Sequence, residues 1–148
     1  MKRSLLLAAL LLAGCANTQL APTIEPAFVQ ILKRHGLTPD STRKIDLVAS
    51  EGGYGSGLQV IITEEFLIQE IWDTIYQSRP YRTSVASGYR RLRFYKSADS
   101  SKPDVEVMVN GTDRCHVKGG FERGYRCPGI NGVLEPVLKH EHEKRKGG

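Results

Sequence analysis

Cysteine is scarce in this 148-residue chain, which has three, and there is one tryptophan. Three cysteines are too few for the dense disulfide framework of small secreted scaffolds. Long apolar runs are missing as well. The longest, Leu5 through Ala13, falls well short of the roughly 20 residues a helix needs to cross hydrocarbon. Charge of one sign is not strongly in excess. Lys and Arg number 21 against 16 Asp and Glu, a formal balance of +5, which is mild and does not argue for nucleic acid. No internal repeat is visible, so a solenoid or propeller is not expected.

Catalytic and cofactor motifs are absent too. A phosphate-cradling P-loop needs Lys followed by Ser or Thr after its last glycine. In "EGGYGSG" the residues after Gly57 are Leu58 and Gln59. A hydrolase elbow needs glycines two residues to either side of its serine, whereas Gly55 and Gly57 stand immediately beside Ser56. The terminal "HEHEK" places His140 and His142 two residues apart. On a helix that turns them about 200° from each other, not onto one zinc-binding face. Asp46, Asp73, Asp104 and Asp113 show no calcium-loop spacing. No cofactor and no metal is expected.

The start of the chain is more informative. Lys2 and Arg3 precede the short apolar run, which ends in Leu12-Ala13-Gly14-Cys15. A positive start, a short apolar stretch and small residues before a cut form an export signal. Residues 1–16 resemble the lipobox signal of bacterial lipoproteins. The resemblance implies cleavage after Gly14 and attachment of a diacylglycerol, with acyl chains such as palmitate, to the Cys15 sulfur. It also implies a cell-envelope location, anchored in the membrane through Cys15. In Gram-negative members an aspartate after the cysteine marks inner-membrane retention. Here the residue is Ala16, so in such a cell the resemblance implies the outer membrane, with the domain facing the periplasm. Each buried methylene is worth about 0.8 kcal/mol, and two or more chains hold a protein stably.

Removing residues 1–14 leaves 134 of the 148 and lowers the formal charge from +5 to +3, because Lys2 and Arg3 depart. That length suits one domain with a real core. Residues 15–25 are polar, contain Pro22 with Pro26 just beyond, and lack periodicity, which reads as a tether. Residues 26–148 are expected to form the globular domain.

Within the domain, Phe28, Ile31 and Leu32 recur at helical spacing between Pro26 and Gly36. "KIDLVAS" and "LQVIIT" alternate as strands around the glycine-rich stretch, predicting a hairpin with a long tip. "TEEFLIQEIWDTIYQS" predicts a helix capped by Thr63, with Ile68, Ile71, Trp72 and Ile75 on one face and Trp72 in the core. "GYRRLRFYK" and "VEVMV" read as strands, and "RCHVKGGFERGYRC" as a hairpin. The last segment, "INGVLEPVLKHEHEKRK", predicts a helix disturbed near Pro136 or starting near Glu135. Helix, two strands, helix, several strands, helix implies an α+β fold: one small domain with an antiparallel sheet and helices packed on one face.

Two side-chain groupings carry functional expectations. Export puts Cys115 and Cys127 in an oxidising compartment, where they are expected to pair as a disulfide across the hairpin. A turn centred near Phe121 sets them opposite one another. In "GYRRLRFYK", Leu92 and Phe94 claim the inner face, which turns Tyr89, Arg91, Arg93 and Tyr95 outward. Arginine and tyrosine suit anionic or sugar-like groups, so this face, with Tyr54 on the glycine-rich tip as the alternative, is the candidate partner-binding surface. Among the histidines, His116 beside Asp113 is the one to watch.

The function expected is a membrane-anchored envelope lipoprotein with a non-catalytic binding domain. Its partner would be an envelope protein, peptidoglycan or a lipid headgroup. One alternative is a small envelope enzyme using Asp113, Arg114 and His116. The other is an inhibitor of an attacking hydrolase. Small lipoproteins that inhibit animal-type lysozymes offer a model for it, but a basic chain opposes a basic target and their fuller motif is missing here.

Overall fold

The computed structural model describes residues 24–49, 57–81, 90–119 and 124–148. Cys15, Tyr54, Tyr89 and the tip of the glycine-rich hairpin lie outside these residues. Three helices and seven strands follow one another as α1 (Ala27–Arg34), β1 (Lys44–Ala49), β2 (Gln59–Ile62), α2 (Glu65–Tyr76), β3 (Arg79–Tyr81), β4 (Arg90–Tyr95), β5 (Val105–Val109), β6 (Arg114–Val117), β7 (Gly124–Arg126) and α3 (Ile130–Lys146). The strands form one sheet in the order β2-β1-β4-β5-β6-β7-β3, and every pairing is antiparallel. The fold is α+β, as the alternation of apolar residues predicts.

Each strand turns its apolar set to the same side. Ile45, Leu47, Ile62, Leu92, Phe94, Val105, Val107, Val109 and Cys115 are buried together with Phe28, Leu32, Ile71, Trp72, Ile75, Ile130, Leu134 and Leu138 from the helices. The helices therefore cover one face and leave the other to polar residues. Trp72 is fully buried. Its indole N–H donates to Thr42 Oγ1 at 3.0 Å, which satisfies the one polar atom a buried tryptophan brings. Arg90 lies on the same inner face and is 9% exposed. Its guanidinium reaches two groups on α3, Asn131 Oδ1 and, at 3.2 Å, Glu135 Oε1.

The helix ends show where local chemistry decides. α1 closes with Gly36 at φ 75°. Gly36 N–H donates to Lys33 O and Leu37 N–H to Leu32 O, the paired bonds of a Schellman cap, with Leu37 fully buried beyond them. Pro26 stands just before the helix rather than in its first turn, and its carbonyl accepts from Gln30 N–H. α2 begins one residue later than the expected Thr63 cap. Glu64 is its N-cap, and Thr63 N–H donates to the Glu64 carboxylate instead.

α3 runs through Pro136 from Ile130, earlier than the proline suggests. Pro136 and the carbonyl-bearing Gly132 one turn before it are both exposed, which leaves the carbonyl that lost its donor open to solvent. Ile130, Leu134 and Leu138 anchor the inner stripe, and Asp113 holds the helix start. β3 is a strand that the sequence reading did not anticipate. It is three residues long and contains Pro80, which the sheet tolerates because β3 is an edge.

Candidate functional site

The helix-free face of the sheet is built as cross-strand rows. One row runs Gln59, Val48, Arg91, Met108, His116. The next runs Ile61, Asp46, Arg93, Glu106, with Lys118 just past β6. Successive residues of a strand point to opposite faces, so the period that buries Leu92 and Phe94 places Arg91 and Arg93 here.

The two arginines are in different situations. Arg93 Nε pairs with Glu106 Oε2 at 3.0 Å, and Glu106 Oε1 pairs with Lys118 Nζ at 3.1 Å. Burial pushes the Glu106 carboxyl up, but its bonds to Lys118 and Arg93 outweigh that and hold it below the ordinary carboxylate value. Arg93 is thus one of three members of a local ion-pair network. Arg91 has no such partner, and its Nε is buried without a hydrogen bond among the described residues.

Tyr95 is not an exposed contact. It is 3% exposed, its O–H donates to Asp46 Oδ2 at 2.8 Å, and Lys44 Nζ sits 4.1 Å from the ring centroid. Burial and that carboxylate bond raise its phenol to about 12, so it stays protonated and locks β4 to β1.

Two more buried polar atoms on this face lack partners among the described residues, Asp46 Oδ1 and His116 Nδ1. Burial lowers the His116 imidazole below its ordinary value, which favours the neutral ring. Arg91 and His116 share one row, separated by Met108 on β5. Unsatisfied buried polar atoms typically cost about 1–3 kcal/mol each, and these lie on one face of the sheet.

Asp113, Arg114 and His116 do not converge. Asp113 holds a left-handed conformation, φ 59°, which aims its carboxylate at the start of α3. There it accepts from Gly129 N–H and Asn131 N–H, each at 3.1 Å, and from Asn131 Nδ2 at 2.8 Å. Arg114 lies over the Tyr81 ring, 4.2 Å from its centroid. His116 faces the polar row. No acid–base–nucleophile constellation arises from these three.

Cys115 and Cys127 are both fully buried and both free thiols. The β6–β7 register pairs Cys115 with Tyr125, and Cys127 N–H donates to Asp113 O. The cysteines are therefore diagonal neighbours, not opposite ones, because the hairpin is offset from a turn centred on Phe121. They still touch. A hydrogen bond with Cys127 and burial push the Cys115 thiol well above the ordinary range.

The sequence reading missed a third grouping. Arg79, Arg126 and Arg114 stand opposite one another on β3, β7 and β6. Recognising it needed β3, and a three-residue strand containing proline leaves almost no alternating pattern to read. Among the described residues no group of three or more His, Cys, Asp and Glu is placed to hold a metal. The chain matches no known protein family, no curated protein and no solved structure.

Proposed function

We propose that the protein is a lipid-anchored component of the cell envelope whose domain binds a partner, without catalysis, through the helix-free face of its sheet. The observation that carries the binding half is the row holding Arg91 and His116, two side chains with buried polar atoms left unpaired among the described residues. An arginine donor facing out of a half-buried row suits a carboxylate, a phosphate or a carbonyl-rich chain. The anchoring half rests on the signal ending in Cys15. Together they favour a partner within reach of the same membrane: an envelope protein, peptidoglycan or a lipid headgroup.

The test separates the two halves. Cys15→Ser should lose incorporation of a tagged fatty acid, and equal labelling of the variant and the parent would refute the anchor. Arg91→Ala should weaken crosslinked partner capture from intact envelopes while changing stability by less than about 1 kcal/mol. Arg93→Ala should lower stability as well, because it removes one of the two cations paired with Glu106. Unchanged capture by Arg91→Ala in folded, anchored protein would remove this row from the binding surface and move the search to Tyr54.

A further inference from the structure

We infer that Arg79, Arg126 and Arg114 form a cationic ladder that seats the domain on anionic phospholipid headgroups of the membrane that holds its anchor. This rests on the anchoring reading above and adds a second membrane contact to it. The register sets Arg79 opposite Arg126 and Arg126 opposite Arg114. Like charges directly opposite on antiparallel strands repel, so three in a row on one face work against folding. None of the three forms an ion pair with an acid among the described residues. The nearest described carboxylate in sequence, Asp113, is engaged by the start of α3. Arg79 and Arg126 are exposed, and Arg114 sits over the Tyr81 ring. A sheet that tolerates such a row without counter-charges among the described residues presents a site for an anion.

The position of the tether identifies which anion. α1 packs against β3, and Phe28 near its start stacks on Tyr125 of β7, ring centroids 4.9 Å apart. The chain therefore enters the domain at the β7–β3 edge on the helix-covered face, and the ladder lies at the same edge on the opposite face. Between Cys15 and Pro26 lie ten residues, which span at most roughly 40 Å when fully extended. An anchored domain cannot leave the leaflet by more than that. Ile24, on this entry segment, is 88% exposed. Short tethering raises the effective concentration of headgroups at the ladder, so three weak arginine contacts become sufficient. Arginine matches phosphate oxygens in bidentate fashion. Arg91 sits four strands away from β3 in the sheet order, about 19 Å at ordinary strand spacing. The Arg91 end of the partner-binding row is thus clear of the ladder, while its His116 end adjoins Arg114 on β6.

The test uses the full lipidated chain in vesicles, with phenylglyoxal labelling of arginines mapped by mass spectrometry. Vesicles of phosphatidylcholine alone are compared with vesicles containing about one-third phosphatidylglycerol; labelling of Arg79 and Arg126 should fall at least about threefold in the anionic set and recover at high salt. Arg145, on the opposite side of the domain beside β2, is the internal reference and should not change. In the Arg79→Gln, Arg126→Gln variant, Arg114 labelling should become equal in the two vesicle types. Equal labelling of Arg79 and Arg126 in both vesicle types of the anchored parent would overturn the ladder and leave it to an acidic protein surface. A chain that does not enter phosphatidylcholine vesicles at all has no anchor, and the proposal then fails at its premise.

Discussion

At the scale of single residues, Asp113 determines more than its exposed turn suggests. Its left-handed backbone would cost a β-carbon-bearing residue about 1–2 kcal/mol, and its carboxylate takes three hydrogen bonds from the first residues around α3. A capping side chain of this kind is worth about 0.5–2 kcal/mol. Asp113→Ala should therefore destabilise the domain by about 2–3 kcal/mol, whereas Asp113→Asn, which tolerates the conformation and keeps an acceptor, should cost about 1 kcal/mol. Denaturant midpoints measure the difference, and equal midpoints for the two variants would contradict the capping role. His116 and Glu106 set the acid response. Both have folded values below their ordinary 6.5 and 4.5, so the unfolded chain binds protons first. The His116 contribution is present above 6.5 and is lost as pH falls from there through its folded value. The Glu106 contribution is present above 4.5 and is lost below that. Thermal midpoints should accordingly fall in two stages on acidification, and His116→Gln should flatten the first stage only. An unaltered first stage in that variant would assign it to another group.

At the scale of elements, the β6–β7 hairpin and α3 are joined by short-range devices. Cys127 lies three residues before Ile130, the first residue of α3, and its thiol reaches Cys115 of β6. Oxidation of the pair by a thiol–disulfide oxidant, which would accept two electrons and two protons, would tie the strand to the lead of the helix. Peptide mapping without reduction should find Cys115 joined to Cys127 in protein taken from the envelope. Loop-closure entropy puts the stabilisation near 3 kcal/mol. The diagonal register means that a small side-chain adjustment precedes bonding, because diagonal neighbours begin farther apart than opposite ones. Two alkylatable thiols in denatured, unreduced envelope protein would show that the pair stays reduced. Reduction of an intact bridge should lower the melting point and leave the sheet order intact, since the core around Leu92 and Phe94 does not depend on it.

At the scale of the whole molecule, the sequence was most readable where one period dominates. Alternation in "KIDLVAS", "LRFY" and "VEVMV" placed Leu47, Leu92, Phe94 and Val107 in the core and announced an antiparallel sheet with helices on one face. Single-strand periodicity does not say which strands are neighbours, and for that reason the row joining Arg91 to His116 and the Arg79–Arg126–Arg114 ladder were invisible beforehand. It also cannot tell a truly exposed outer face from one whose side chains cover each other. Tyr95 sits on the outer side of β4 as expected, yet Lys44 and Asp46 on the neighbouring strand enclose it. The Thr63 and Pro136 readings failed for a related reason. Local propensity names a favoured helix start, and tertiary partners such as Asp113 decide the real one.

The path of the chain across the sheet has a mechanical side. The polypeptide enters beside β3 at one edge, and the last turn of α3 lies against β2 at the other, where Arg145 Nη2 reaches Gln59 O at 3.2 Å. A line from the tether to the tail therefore runs across the strands, parallel to the ladder of backbone hydrogen bonds. Tension along that line loads those bonds end-on and one strand pair at a time, as in opening a zipper. The same sheet pulled along its strands would have to shear every bond of a pair together.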